Sequence, residues 1–175
     1  MKIFNKIKLL IMDCDGVLTD GKIIYSDKGA ETKNFNAKDG LGIKLLSFTD
    51  IKTAIITGRK SELLERRCKD LSIDFLYQKI SNKRKKVEIL LEKMKINWEN
   101  VAFIGDDWND YPVIQKAGLT ATPADAFREI IEIVDYKTER CGGEGAVREF
   151  IDYILKRKGI YEKTIQKFID YLNSH

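Results

Sequence analysis

The chain has 175 residues, enough for one domain with a single core on the usual scale of roughly 100–200 residues per domain. With 43% hydrophobic and 33% charged residues it reads as soluble and globular, and no apolar stretch approaches the ~20 residues of a membrane span. A formal charge of +4 suits an anionic small ligand without demanding nucleic acid as a partner.

The opening MKIFNKIK is too short and too charged for a signal peptide, so a cytoplasmic address is expected. Then KLLIM (8–12) predicts a first strand, buried on both faces because it is apolar throughout. It runs into Asp13, Asp15 and Asp20, a density of carboxylates that is costly to fold unless the charges find a partner. Segment 22–35 has two strand-like pieces, 22–25 and 31–35, around the turn signal SDKG, and predicts a projecting β-hairpin.

Beyond the hairpin, helical periodicity and short apolar runs alternate. Helices are expected over 41–48, 61–71, 86–94, 110–118 and 124–133, and strands over 53–56, 75–77, 101–104, 119–122 and 133–137. The chain closes with two helices, 145–158 and 161–173, separated at Gly159. This alternation predicts a single α/β domain over 1–175: a doubly wound, Rossmann-like, mostly parallel sheet with helices on both faces and a projecting hairpin.

Cys14, Cys68 and Cys141 stand far apart with no metal-ligand spacing, so they read as reduced and structural. The one histidine, His175, reads as a solvated terminal side chain, which removes histidine acid–base chemistry. The chemistry lies instead in the polar residues just past the strand ends. LLIM leads into Asp13 and Asp15, TAII into Thr57-Gly58-Arg59, and VAFI into Gly105-Asp106-Asp107, with Asp110 close behind.

In an open parallel sheet, ligands bind beyond the carboxyl ends of the strands, so these groups would share one crevice. Alternation puts Asp13 and Asp15 on one side and Cys14 on the other. Crowded carboxylates repel, and a hard cation with oxygen ligands is the usual remedy; Mg²⁺ suits best because it also keeps phosphate oxygens and waters. An EF-hand fails on spacing, since Leu18 falls on its glycine position. Gly142-Gly143-Glu144-Gly145 lacks the lysine and hydroxyl of a P-loop and reads equally well as a turn before a helix.

With a cation present, a strand-end aspartate can attack phosphorus, and a second aspartate two residues on can serve as acid and then base. Thr57 and Lys83 complete the set of groups that would hold phosphoryl oxygens. Asp20 beside Gly21 reads as a turn residue as readily as a functional one.

These motifs resemble the haloacid dehalogenase superfamily: DCDGVLTDG its first motif, TAIITGR its second, SNK its lysine motif and IGDDWND its acidic fourth. FNAKDGLGIK (35–44) and GGEGAVREF (142–150) are similar to the capless subgroup that contains 3-deoxy-D-manno-octulosonate 8-phosphate phosphatases and phosphatases of nonulosonate 9-phosphates. The gaps support the absence of a cap independently. Only 43 residues separate Asp13 from Thr57 and 22 separate Lys83 from Asp106, too few for a domain of ~50 residues or more.

The resemblance implies a Mg²⁺-dependent phosphatase of a sugar-acid phosphate, in lipopolysaccharide-precursor synthesis if the substrate has eight carbons. It implies Asp13 as nucleophile, Asp15 as acid/base and backbone ligand of the metal, and Asp106 as the further metal ligand. Thr57 and Lys83 would hold the phosphoryl group, with Asp107 and Asp110 supporting from behind. Substrate contacts would come from Asn36, Ala37, Lys38, Asp39, Gly40, Lys44, Gly58, Arg59 and Arg67, with Arg59 gripping the carboxylate. The resemblance further implies a homotetramer with hairpins 22–35 at its centre and a neighbour's GGEGAVRE segment near the site. A phospho-accepting receiver module is the rival reading; it places its acidic pair before the acceptor, the reverse of the order here.

Overall fold

The computed structural model describes residues 2–27, 29 and 31–174; His175 lies outside them. Six strands form one sheet: β1 (Leu9–Met12), β4 (Lys52–Ile56), β5 (Phe75–Tyr77), β6 (Val101–Ile104), β7 (Leu119–Thr122) and β8 (Tyr136–Lys137). Their order is β5-β4-β1-β6-β7-β8, and every pairing is parallel. The chain winds outward from β1 through β4 to β5, then crosses back to β6 on the other side of β1. The direction of winding therefore reverses at β1, where an open sheet of this kind leaves its crevice.

Both faces of the sheet are covered, as continuous apolar strands require. Leu10, Met12, Ile55 and Ile104 face a layer made by α2 (Ala37–Leu46), α3 (Glu62–Asp70) and α7 (Ala146–Arg157). Leu9, Ile11, Ile56 and Phe103 face α4 (Lys83–Met94), α5 (Tyr111–Ile114) and α6 (Arg128–Ile131). Each fully buried side chain of this size contributes about 1.5–3 kcal/mol, so the two layers together hold the sheet. The hairpin is β2 (Ile24–Tyr25) against β3 (Glu31–Thr32), antiparallel and shorter than the sequence pattern indicates. Among the described residues nothing else projects over the crevice, and no cap domain is present.

Several boundaries differ from the periodicity, each for a local reason. Helix α2 starts at Ala37 rather than 41 because Asn36 caps it, its side-chain oxygen accepting from the Lys38 N–H at 2.8 Å. Helix α4 starts at Lys83 rather than 86, because Asn82 accepts from the Lys85 N–H at 2.9 Å. The SNK motif is thus a helix cap that fixes where Lys83 emerges. Segments 110–118 and 124–133 shrink to single turns. Of 133–137 only Tyr136–Lys137 pairs, because the Asp135 carboxylate ties down the Thr120 N–H and hydroxyl, both at 2.8 Å. An unforeseen first helix, α1 (Lys2–Lys6), leads to Phe4 and Ile7 in the core. The last helix, α8 (Tyr161–Asn173), packs on α2 and α7, with Phe48 edge-on to Phe168 and Tyr171.

Candidate active site

Register brings the site together. Met12 sits level with Ile55 on one side and Ile104 on the other, so the chain leaves β1, β4 and β6 at the same height. One residue beyond Met12 stands Asp13, with Thr57 two residues beyond Ile55 and Asp106 two beyond Ile104. All three line one cleft of about 260 Å³ with Asp15, Gly16, Gly58, Arg59, Asp107 and Asn109.

The turn after β1 is built on the Cys14 carbonyl, which accepts the N–H groups of Val17, Leu18 and Thr19. The Cys14 side chain points into the core beside Val17, leaving Asp13 and Asp15 on the cleft side. Gly16 adopts φ +85°, and a Cβ there would collide with the Asp106 carboxylate. The loop can close over β6 only with glycine at that point.

Lys83 is the cation at the floor. Its Nζ donates to Asp110 at 2.6 Å and lies 2.9 Å from Asp13, with all three side chains nearly inaccessible. Asp110 also accepts the Asp106 N–H at 3.1 Å, so it clamps the lysine and the turn after β6 at once. Burial lowers the Lys83 pKa, but Asp13 and Asp110 outweigh it and hold the ammonium charged above its ordinary value.

One lysine does not balance the carboxylates. Burial, then repulsion from Asp110, pushes Asp13 up to about 7 against the pull of Lys83. Burial, then Asp13, Asp110 and Asp107, pushes Asp106 up to about 8. Asp110 is raised by burial as well. Oxygens of Asp13, Asp106 and Asp110 lie within 4.8 Å of one another. An all-oxygen donor set with surplus negative charge fits a hard divalent cation and does not fit a thiolate- or imidazole-seeking one. Both Asp110 oxygens already serve Lys83 and the Asp106 N–H, which leaves Asp13 and Asp106 as the carboxylates suited to a metal. The Asp15 side chain stands apart from that group. It contacts the Lys33 ammonium, and Arg59 Nε is 3.8 Å away.

Thr57 is buried at the end of β4, its hydroxyl oxygen accepting the Arg59 N–H at 3.3 Å. Asp107 accepts the N–H of Trp108 at 2.6 Å, while the Trp108 ring lies outside the cleft against Tyr111. Asp20 accepts the Lys22 N–H at 3.2 Å and pairs with its ammonium, which makes it a turn residue.

The remaining substrate candidates do not line this cleft within one chain. Asn36, Asp39, Gly40 and Arg67 surround a closed apolar pocket behind it. Arg67 donates to the Asn36 carbonyl at 3.3 Å, and Asp39 accepts the Arg148 N–H at 2.7 Å. Ala37 lies with them in the first turn of α2. Lys38 opens onto a separate surface groove with Arg140, Glu144 and Arg148, and Lys44 lies over the Tyr171 ring of α8.

Sequence reasoning missed Gly16, the hairpin pair Glu31 and Lys33, and the way the glycine run works within its own chain. Gly143 donates to the Val17 carbonyl at 3.0 Å, and a Cβ on Gly142 would strike the Gly16 carbonyl. The run is therefore a close-packed brace under the aspartate loop. A glycine immediately after Asp15 was a readable signal for Gly16; nothing in the spacing pointed to Glu31 or Lys33.

A model of haloacid dehalogenase-like hydrolases matches residues 70–151. The 3-deoxy-D-manno-octulosonate 8-phosphate phosphatase KdsC of Escherichia coli K12 is 50% identical over 155 residues, spanning 89% of this chain and 82% of that protein. The chain belongs to the haloacid dehalogenase-like hydrolases. Another relative in this family, KdsC of Yersinia pestis, is 46% identical over 85% of the chain and 80% of its own length. A crystal structure of the Moraxella catarrhalis 3-deoxy-D-manno-octulosonate 8-phosphate phosphatase, in complex with magnesium ion, phosphate ion and KDO, superposes with a TM-score of 0.92. Its identity is 38%, covering 95% of this chain and 96% of that one. The parallel sheet without a cap is thus the fold that this phosphatase structure shares over almost the whole chain. Among the described residues no helix is long and apolar enough to cross a membrane.

Proposed function

We propose that the chain hydrolyses a sugar-acid phosphate monoester, 3-deoxy-D-manno-octulosonate 8-phosphate, through an aspartyl-phosphate on Asp13. The observation that carries this is the Lys83 ammonium held between Asp13 and Asp110 at the base of a cleft that Thr57, Asp15 and Asp106 also line. Identity of 50% to KdsC supports the eight-carbon substrate.

In this reading an Asp13 oxygen attacks phosphorus, and the bond to the sugar oxygen breaks as Asp15 delivers a proton to it. Asp15 then takes a proton from the water that attacks the aspartyl-phosphate, which releases phosphate and restores Asp13. Thr57 and Lys83 hold phosphoryl oxygens, the latter kept charged by its two carboxylates. Asp13, Asp106 and the Asp15 backbone carbonyl would hold Mg²⁺, whose charge offsets that of the phosphoryl oxygens. Asp110 keeps Lys83 in place, and Asp107 shapes the turn behind Asp106. Arg59, at the cleft rim, would grip the substrate carboxylate in the paired geometry that guanidinium favours.

A tetramer belongs to the same proposal. The hairpin exposes Ile23, Ile24 and Tyr25, and an isolated two-stranded hairpin is marginal in water. A neighbour's GGEGAVRE segment, together with Lys38, Lys44 and Arg67, would then complete the substrate site across the subunit boundary.

Phosphate release from the eight-carbon 8-phosphate and from nonulosonate 9-phosphates, with Mg²⁺, tests the reading. The expected order of kcat/KM favours eight carbons, and a clear preference for nine would replace the substrate. Asp13→Asn should cut turnover by about 10³-fold or more with the fold retained; retained activity would remove the aspartyl-phosphate. A long-lived phosphoprotein from acetyl phosphate, without Mg²⁺-dependent hydrolysis, would favour a receiver.

A further inference from the structure

Arg59 stands at the rim of the cleft, yet its guanidinium already has partners from the hairpin. One Nη donates to a Glu31 carboxylate oxygen at 2.8 Å and to the Tyr25 hydroxyl at 3.0 Å. Arg59 Nε, in contrast, is buried and makes no hydrogen bond among the described residues, the Asp15 carboxylate lying 3.8 Å away as a loose ion pair. The fork is thus half used, by an acid belonging to the protein itself. Beside it Lys33, whose side chain is 2% exposed, contacts Asp15 and lies 4.0 Å from the same Glu31 oxygen.

We propose that Glu31 is an internal competitor that occupies Arg59 in place of the substrate's carboxylate, gives it up only to a substrate that brings one, and so tempers how tightly the sugar acid is held. This rests on the reading of Arg59 as the carboxylate grip. A carboxylate entering the cleft offers Arg59 two oxygens, which suit Nε, as yet without a hydrogen bond, and an Nη together, whereas Glu31 reaches only the Nη. The displaced Glu31 keeps a cation, because Lys33 is already within reach of it. A phosphate ester without a carboxylate makes no such offer and leaves the Glu31–Arg59 pair intact. Glu31 thus sets the affinity for the sugar acid by an exchange of like for like, while esters without a carboxylate are unaffected.

Steady-state kinetics of Glu31→Gln on 3-deoxy-D-manno-octulosonate 8-phosphate and on p-nitrophenyl phosphate, which has no carboxylate, test this. Freed of its acidic competitor, Arg59 should lower the KM for the sugar acid about three- to tenfold, with the KM for p-nitrophenyl phosphate moving less than about twofold. Tyr25→Phe, which removes only the neutral partner, should shift the sugar-acid KM in the same direction and less. In an Arg59→Ala background the Glu31→Gln effect should vanish. A sugar-acid KM that rises or stays unchanged, an equal fall for both esters, or an effect that survives without Arg59 would overturn the proposal. Calorimetry with the dephosphorylated eight-carbon acid needs no turnover: tighter binding to Glu31→Gln than to the unaltered chain supports the exchange, and equal or weaker binding overturns it. If the unaltered chain cleaves p-nitrophenyl phosphate but neither cleaves nor binds the sugar acid, the substrate reading fails on its own and takes this inference with it.

Discussion

Lys83 serves two carboxylates with one charge, and that imbalance sets how the site responds to substitution. Lys83→Met leaves Asp13 and Asp110 facing each other in a water-poor floor. Breaking a buried pair of this kind costs about 3–5 kcal/mol, so urea unfolding should show a loss of that order. Asp110→Asn in the same chain should recover part of it, because it removes the repulsion between the two carboxylates and leaves only Asp13 without its cation. The remaining carboxylates give a pH signature. Folding raises Asp13 to about 7 and Asp106 to about 8 from an ordinary 3.8, so between pH 4 and 8 the folded state binds more protons than the unfolded one. Stability of the metal-free protein should therefore fall as pH rises through that window. Mg²⁺ competes with those protons, so its stabilisation should be larger at pH 8 than at pH 6. Thermal melts with EDTA or Mg²⁺ at the two pH values check both statements; a metal-free melting temperature that rises from pH 6 to 8 would contradict them.

At the scale of elements, the aspartate loop is shaped by a segment more than 120 residues away in the chain. Gly142 approaches the Gly16 carbonyl so closely that a side chain cannot fit. Gly142→Ala should thus push the 16–20 loop outward, costing about 1–3 kcal/mol of stability as overpacking does, and it should lower kcat by moving Asp15 relative to Asp13. Phosphate-release kinetics beside urea unfolding separate this from a simple loss of stability, which would leave the kcat of the folded fraction unchanged. The same distance explains what was legible in the sequence. Asp13, Thr57, Lys83 and Asp106 could be placed because each follows a strand or opens a helix, and parallel register carries strand ends to one level. The length of α2 was hidden because its first turn, AKDG, is polar and its start is set by Asn36. Helices 110–118 and 124–133 carried the right period, but each is helical for a single turn only, Tyr111–Ile114 and Arg128–Ile131. Glu31, Lys33 and the brace by Gly142 depend on how a hairpin and a late loop fold over the cleft, and spacing along the chain carries no information about that.

At the scale of the whole molecule, the groups suited to a phosphoryl group, Asp13, Asp15, Thr57 and Asp106, share one cleft, while Lys38 and Lys44, basic candidates for the sugar acid, lie away from it, on a surface groove and on α8. A projecting hairpin with Ile23 at 49%, Ile24 at 51% and Tyr25 at 65% exposure is an apolar surface that water disfavours. Association through the hairpins would bury it and bring a second chain's surface groove, with Lys38, Arg140 and Arg148, toward the open cleft. On this basis sedimentation should find a particle near four times the 20.2 kDa chain mass. Ile24→Lys, which puts four like charges into a shared apolar centre, should shift it to smaller species. Smaller particles should keep turnover of p-nitrophenyl phosphate, because the phosphoryl groups come from one chain, and lose most of their activity on the sugar acid, because the groups that read it come from two. Full sugar-acid activity in a monomeric Ile24→Lys protein would show instead that each chain reads its substrate alone, with Arg59 as its carboxylate partner.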